Sequence, residues 1–239
     1  MFNLTGKLEK EIVFTDISGL NFFPPKPATK EVPKWYKDTE EYVGGIRNVS
    51  SEAEIPHTIK KCIPVFDAIT AGYIFYTQVD VSVTDSEGEE KIPYYIWPSQ
   101  QPLGFHPLTQ GPLHPLQKNA PYPKWNNSYA MTTPPGYSTL FVPPMHNPNN
   151  IFTILEGFVD TDTYKSPVNF PFVLNDINWR GIIPAGTPIA QAIPIKRDSW
   201  KHRIGSDEER MEQERVVRKL RTLFFNSYKR QFWHRKEYK

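Results

Sequence analysis

The stretch Ala71-Gly72-Tyr73-Ile74-Phe75-Tyr76-Thr77-Gln78-Val79-Asp80-Val81-Ser82-Val83 decides the fold class. From Val79 to Val83 the residues alternate, which puts the three valines on one face of an extended chain and Asp80 and Ser82 on the other. Asp85-Ser86-Glu87-Gly88 has turn composition, and residues 92–97 return with Ile-Pro-Tyr-Tyr-Ile-Trp, so the pair predicts a hairpin. Upstream, Lys60-Lys61-Cys62-Ile63-Pro64-Val65-Phe66-Asp67 reads as strand leading into this region. Downstream, residues 137–142, 151–154, 168–174 and 189–195 are short apolar runs separated by Gly, Pro or Asn, and each predicts a further strand.

Composition supports the same class. With 15 Phe, 12 Tyr and 6 Trp, the 239-residue chain has enough large apolar side chains for a core, which excludes disorder throughout. Its 24 prolines lack a backbone donor and belong in loops, edge positions and strand starts, which argues against a mainly helical fold. The predicted organisation is a proline-rich N-terminal arm over residues 1–54, a β domain over 55–200, and a basic amphipathic helix over 201–239. Spacing of the strands suits a barrel or sandwich. Within the arm, Glu11-Ile12-Val13-Phe14 is a short strand candidate, and Trp35 is the expected anchor that packs the arm down. Residues 98–128 form a proline-rich insertion, read as a lid, an intersubunit contact or a strand broken by prolines.

Ser206 and Glu209 make a capping box, and Asp207 and Glu208 suit the positive end of a helix that follows. Val216, Leu220, Leu223, Phe224 and Tyr228 recur at helical spacing as an apolar stripe, flanked by Arg215, Arg218, Lys219 and Arg221. The formal charge of the whole chain is only +2. The basic residues concentrate at its end, where nine Lys or Arg and one Glu occur between Arg215 and Lys239. That basic face is a candidate anion-binding site, with nucleic acid as an alternative partner and packing of the apolar stripe as the plainer use.

Cys62 is the sole cysteine, so it makes no intrachain disulfide or thiolate metal site. Ile63, Val65 and Phe66 around it predict a buried thiol. Lys7, Glu9, Lys10 and Glu11 interrupt the opening segment, and no apolar run approaches the roughly 20 residues that span a bilayer. The expected location is cytoplasm or virion, without a membrane partner. No glycine-rich nucleotide loop follows a strand. His106, His114 and His146, with Asp160 or Asp162, lack metal-motif spacing, and no metal site is assigned. Trp125, Tyr129, Tyr137 and Phe141 are candidates to line an aromatic or sugar pocket, with core packing the plainer reading. Lys196-Arg197-Asp198-Ser199-Trp200-Lys201-His202-Arg203 reads as a charged connector anchored by Trp200, with phosphate binding its alternative.

Four segments, in order, resemble the trimeric dUTPase and dCTP deaminase superfamily. They are Thr70-Ala71-Gly72-Tyr73-Ile74 through Val81, Pro134-Pro135-Gly136-Tyr137 through Pro144, Glu156-Gly157-Phe158-Val159-Asp160 through Tyr164 and then Phe172-Val173-Leu174-Asn175, and Ile183-Pro184-Ala185-Gly186 through Ile193. The resemblance implies a distorted dUTPase-like barrel, or β-clip, and a homo-oligomer of the trimeric kind. It also implies ligand contact by Asp160 and Tyr164, with Asp160 the base if the protein is an enzyme, and Gln191 and Tyr137 are further ligand-binding candidates. Gly157 and Gly186 are expected to take positive φ or to admit close backbone approach.

Ile74, Pro143-Pro144-Met145 and Pro188 stand where that superfamily carries acidic or phosphate-handling residues. A polyphosphate needs cations or donors there, and these side chains supply none. The longer chain is similar to a poorly characterised group of bacterial and phage proteins. The expected function is therefore non-catalytic, in ligand binding or in assembly, viral structural assembly included. No cofactor is expected. The alternative is a nucleotide-directed hydrolase or deaminase-related enzyme with a rearranged site, which would need magnesium.

Overall fold

A computed structural model describes residues 10–19, 22–45, 57–87, 91–98, 101–111, 114–116, 121–222 and 227–239, apart from the side chains of Leu108, Lys219, Arg221, Thr222 and Ser227. In chain order the strands are β1 (Val13–Asp16), β2 (Lys26–Pro27), β3 (Tyr73–Tyr76), β4 (Val81–Asp85), β5 (Pro93–Ile96), β6 (Leu103–His106) and β7 (Tyr122–Trp125). They continue as β8 (Tyr129–Thr132), β9 (Tyr137–Val142), β10 (Phe152–Ile154), β11 (Gly157–Val159), β12 (Phe170–Leu174), β13 (Gly181–Ile183) and β14 (Pro188–Lys196). The helices are α1 (Lys34–Asp38), α2 (Ile63–Thr70), α3 (Asp207–Thr222) and α4 (Ser227–Gln231). Two compact units result. The first comprises Met1–Pro33, Ile69–Arg197 and Tyr238, and the second comprises Lys34–Ala68, Asp198–Glu237 and Lys239.

The protein is mainly β, as the alternation predicts, but the expected dUTPase-like barrel, β-clip or sandwich does not form. Four separate antiparallel sheets form instead among the described residues, in the orders β11-β9-β14-β3-β2, β10-β12-β7-β6, β13-β4-β5 and β1-β8. Closure would require every strand to pair along both edges. β2 has two residues and ends at Pro27, and β11 has three. Pro93, Pro123, Pro171, Pro188 and Pro194 each remove a ladder donor from a strand. Only β14 is long, with nine residues, and its register against β3 shifts between Pro188 and Ala190.

Val81 and Val83 are buried and Ser82 is half-buried, so the valine alternation does set the inward face of β4. The extended reading of residues 71–83 breaks into β3 and β4, with a turn over 77–80 between them. β4 and β5 pair from Ser82↔Ile96 to Asp85↔Pro93, the expected hairpin, although Gly88 of its turn lies outside the described residues. In the first unit Trp125 stacks on Phe172 at 4.9 Å, and Phe152 meets Phe172 at 5.2 Å. Trp125, Tyr129 and Phe141 are all buried in this core, so those three pocket candidates are packing residues. The insertion over 98–128 contributes β6 and β7, paired from Leu103↔Trp125 to His106↔Tyr122. Strand structure interrupted by prolines, one of its three readings, is present there.

The segment read as strand around Cys62 is helical. Pro64 falls in the first turn of α2, where its missing N–H costs nothing and its fixed φ suits the helix. Cys62 just precedes that helix and is exposed, contrary to the buried thiol expected from its neighbours. In the arm, Trp35 is 39% exposed and the adjacent Tyr36 takes the buried role. The Tyr36 hydroxyl donates to the Lys60 carbonyl at 3.1 Å, and Lys60 Nζ donates back to the Tyr36 carbonyl at 2.6 Å. Trp200, the expected connector anchor, is 86% exposed.

The capping box forms as the sequence indicates. Glu209 N–H donates to Ser206 Oγ at 3.3 Å and Ser206 N–H donates to Glu209 Oε2 at 2.8 Å. Val216 and Leu220 of the apolar stripe are half-buried and Tyr228 is exposed, while Leu223 and Phe224 lie outside the described residues. No helix among the described residues is long and apolar enough to cross a membrane.

Candidate functional site

The turn that follows β11 is positioned by a chain of buried hydroxyls. Thr161 Oγ1 lies 2.8 Å from Thr133 Oγ1 and 2.7 Å from Thr139 Oγ1, and Thr161 itself is fully buried. Val159 pairs with Thr139 across β11 and β9, so the next residue, Asp160, arrives beside Ser138. Ser138 Oγ donates to Asp160 Oδ1 at 2.6 Å. β14 runs along the other edge of β9, pairing Lys196 with Tyr137, and Arg197 N–H then donates to the Gly136 carbonyl at 2.8 Å. This register delivers the Arg197 guanidinium to the same turn.

Arg197 Nη1 donates to Asp162 Oδ1 at 2.9 Å and to Asp160 Oδ1 at 3.2 Å, while Nη2 bonds Asp162 Oδ2. Asp162 Oδ2 also accepts the Gly136 N–H at 2.8 Å. The Asp162 side chain is only 6% exposed. The Arg197 hydrogen bond, joined by the Gly136 N–H, holds its carboxyl down at about 2. Asp162, which the sequence reading weighed only as a metal ligand, is thus the centre of the cluster. Its signal was its place two residues after Asp160 in a turn closed by Tyr164 N–H donating to the Asp160 carbonyl at 2.8 Å.

Two of the four candidate ligand-binding residues, Asp160 and Tyr164, share this turn, and Tyr137 lies next to Ser138 with its hydroxyl bonded by Lys10 Nζ. Gln191 is not among them. It pairs with Val142, five residues along β9 from Tyr137, which at strand rise is roughly 17 Å away. Buried in β14, Gln191 accepts Met145 N–H on Oε1 and donates Nε2 to the Ala71 carbonyl, both at 2.7 Å. The space beside it is about 10 Å³, too small for more than a single water. Gln191 is a clip between loops. Of the two glycines singled out, Gly186 takes φ +77° and Gly157 keeps ordinary strand backbone with open space where a Cβ would go.

Chemically, the Asp160 turn holds one guanidinium between two carboxylates, leaving one negative charge in excess. Its guanidinium is engaged by two carboxylates, and Oδ1 of Asp160 already accepts from Ser138 and Arg197. An incoming phosphate would have to displace Asp162 from Arg197, whereas both donors to the Asp160 carboxylate sit on Oδ1 and that side chain is 64% exposed.

Among the basic residues of α3, Arg215 pairs with Glu212 at 3.2 Å and Arg218 is exposed. The side chains of Lys219 and Arg221 lie outside the described residues. Arg203 of the connector pairs with Glu209. That pairing, together with the Ser206 backbone N–H, holds the Glu209 carboxyl at about 2. His106 and His114 line one cavity of about 260 Å³ with Tyr122, without His146. Among the described residues no three His, Cys, Asp or Glu are grouped as a metal site would require.

The site the sequence reading missed is apolar. A cavity of about 400 Å³ opens in the first unit, with Tyr94, Tyr95, Trp97, Phe105 and Tyr122 in its walls and the buried side chains of Val173 and Leu174 on its inner side. Trp97 and Tyr95 were visible as returning-strand residues, but their meeting with β6, β7 and β12 depends on pairing between segments far apart in sequence. No family model matches the chain, and no curated protein matches it.

Proposed function

We propose that the protein acts by binding, without catalysis, and that its first unit holds a small ligand in the aromatic cavity beside β5. The observation that carries this reading is the cavity itself. Its volume of about 400 Å³ falls in the range of small-molecule sites, and its lining is apolar with a few hydroxyls. Prolines and aromatic rings in the walls have few rotatable bonds, so a ligand would order little on entry. The engagement of Arg197 by Asp162 and Asp160 supports the non-catalytic half of the reading, since it leaves that cation to two carboxylates.

A panel of uncharged small molecules and of deoxynucleoside triphosphates with magnesium tests both halves. Uncharged apolar compounds should raise the thermal midpoint of the native chain, and none of the triphosphates should be consumed. Release of product that disappears in Asp160→Asn would overturn the reading in favour of a nucleotide-directed enzyme.

A further inference from the structure

Resting on that reading, we infer that the cavity between β5, β6, β7 and β12 is a site for uncharged, planar aromatic molecules. Charge is the first argument. Among the described residues no Asp, Glu, Lys, Arg or His lines the cavity. Beside its wall, Arg180 has four of its five donors committed. Nε bonds Asp85 at 2.7 Å, Nη1 bonds the carbonyls of Ile177 and Trp179 at 2.8 Å, and Nη2 bonds the Lys91 carbonyl at 3.2 Å. Burial raises the Tyr95 phenol well above its ordinary value, with Arg180 only partly opposing, so Tyr95 stays neutral. An ion entering this space would lose its hydration and gain no counter-charge, which is costly.

Shape is the second argument. Tyr95 and Phe105 meet at 5.8 Å with an interplanar angle of 55°, an inclined pair that does not stack face on face. Trp97 and Tyr122 add two more rings, so a flat guest can make offset or edge-to-face contacts on several sides. Half-exposed Tyr94 and Phe105 stand where the cavity meets solvent, at 57% and 47% exposure, and give the guest a way in. A saturated guest of the same size would fill the volume but forgo the ring contacts, each worth on the order of 1 kcal/mol.

Three probes of one carbon skeleton separate these terms: 2-naphthol, 2-naphthalenesulfonate and decahydro-2-naphthol, titrated calorimetrically into the full chain. The expected order is 2-naphthol tightest, with the sulfonate weaker by about tenfold or more. Ile177→Trp, which fills the cavity from its lining, should weaken 2-naphthol by about tenfold, whereas Ile182→Trp on the exposed face of β13 should not. If thermal unfolding shows that Ile177→Trp does not fold, Phe105→Trp on β6 takes its place. Equal or tighter binding of the sulfonate or the saturated alcohol, lost in the same variant, overturns the ligand class and leaves the binding function standing. No binding by any of the three overturns both.

Discussion

Arg197 and Asp162 meet guanidinium to carboxylate, with Nη1 2.9 Å from Oδ1 and Nη2 bonded to Oδ2, at the point where β14 leaves β9. A bidentate pair of this kind fixes orientation as well as charge. It ties the end of the longest strand to the turn after β11, across the edge-to-edge order β11-β9-β14. The pair fastens the end of β14 to that turn.

That fastening has a pH signature. Asp162 is held at about 2, against an unfolded value of roughly 3.9. A carboxyl depressed on folding contributes stability that is fully present above the unfolded value and is lost as pH falls through the folded one. Asp162→Asn should therefore lower the thermal midpoint at pH 7, and the gap to the native chain should shrink below about pH 4 and close near pH 2. Thermal unfolding followed across that range checks it; a gap that stays constant with pH would assign the effect to packing.

Gly72 and Gly136 both take positive φ, +68° and +84°, yet they should respond very differently to alanine. A Cβ on Gly72 would lie 1.9 Å from the Ala192 carbonyl oxygen, a backbone atom in the centre of the main sheet. Around Gly136 there is nothing within 4 Å. Gly136→Ala should cost about 1 kcal/mol from backbone strain alone, while Gly72→Ala should cost about 3 kcal/mol or more because the sheet must also move. Chemical denaturation of the two variants measures the difference, and equal losses would contradict it.

Gln191 makes a third test, of structure against function. Its side chain satisfies Met145 N–H and the Ala71 carbonyl from inside β14. Gln191→Leu keeps the volume roughly constant but strands both backbone groups, for an expected loss of about 2 kcal/mol or more. Gln191→Glu should also destabilise, since a carboxylate can accept from Met145 but cannot donate to Ala71. Neither variant should change ligand affinity at the aromatic cavity once the folded fraction is accounted for. A specific affinity loss in a stably folded Gln191→Leu protein would return this residue to the binding site.

Local patterns in the sequence were reliable where the physics is local. The Val79–Val83 alternation set the face of β4, and Ser206 with Glu209 capped α3 as read. Two expectations failed, for different reasons. Ile63-Pro64-Val65-Phe66 is too short and too uniformly apolar for periodicity to separate strand from helix; Pro64 at the helix start was the discriminating residue. The barrel expectation failed because sheet closure is a property of long-range pairing, and the prolines of β5, β7, β12 and β14 limit that pairing in ways a strand count does not reveal. The candidate site was half legible. Asp160 and Tyr164 belong to one turn and are necessarily neighbours, whereas Arg197 reaches them only through the β9–β14 register. The aromatic cavity needed four strands from separate segments and had no motif at all.

The second unit offers the last test. Asp67 of α2 receives Trp233 Nε1 on both carboxylate oxygens, at 3.0 and 2.9 Å, and Lys236 Nζ at 2.6 Å on Oδ2. Its side chain is 19% exposed, so these are partly sheltered, charge-assisted bonds, worth more than a surface ion pair. Asp67→Ala should cost about 1–2 kcal/mol locally and should speed amide exchange in the segment after α4 while leaving the sheets of the first unit unchanged. Asp67→Asn should fall between, because an amide oxygen still accepts from the indole but carries no charge for Lys236. Hydrogen exchange read by mass spectrometry resolves the segment. If Asp67→Ala left exchange around Trp233 untouched, the half-buried indole itself, and not the carboxylate, would be what holds the chain's end in place.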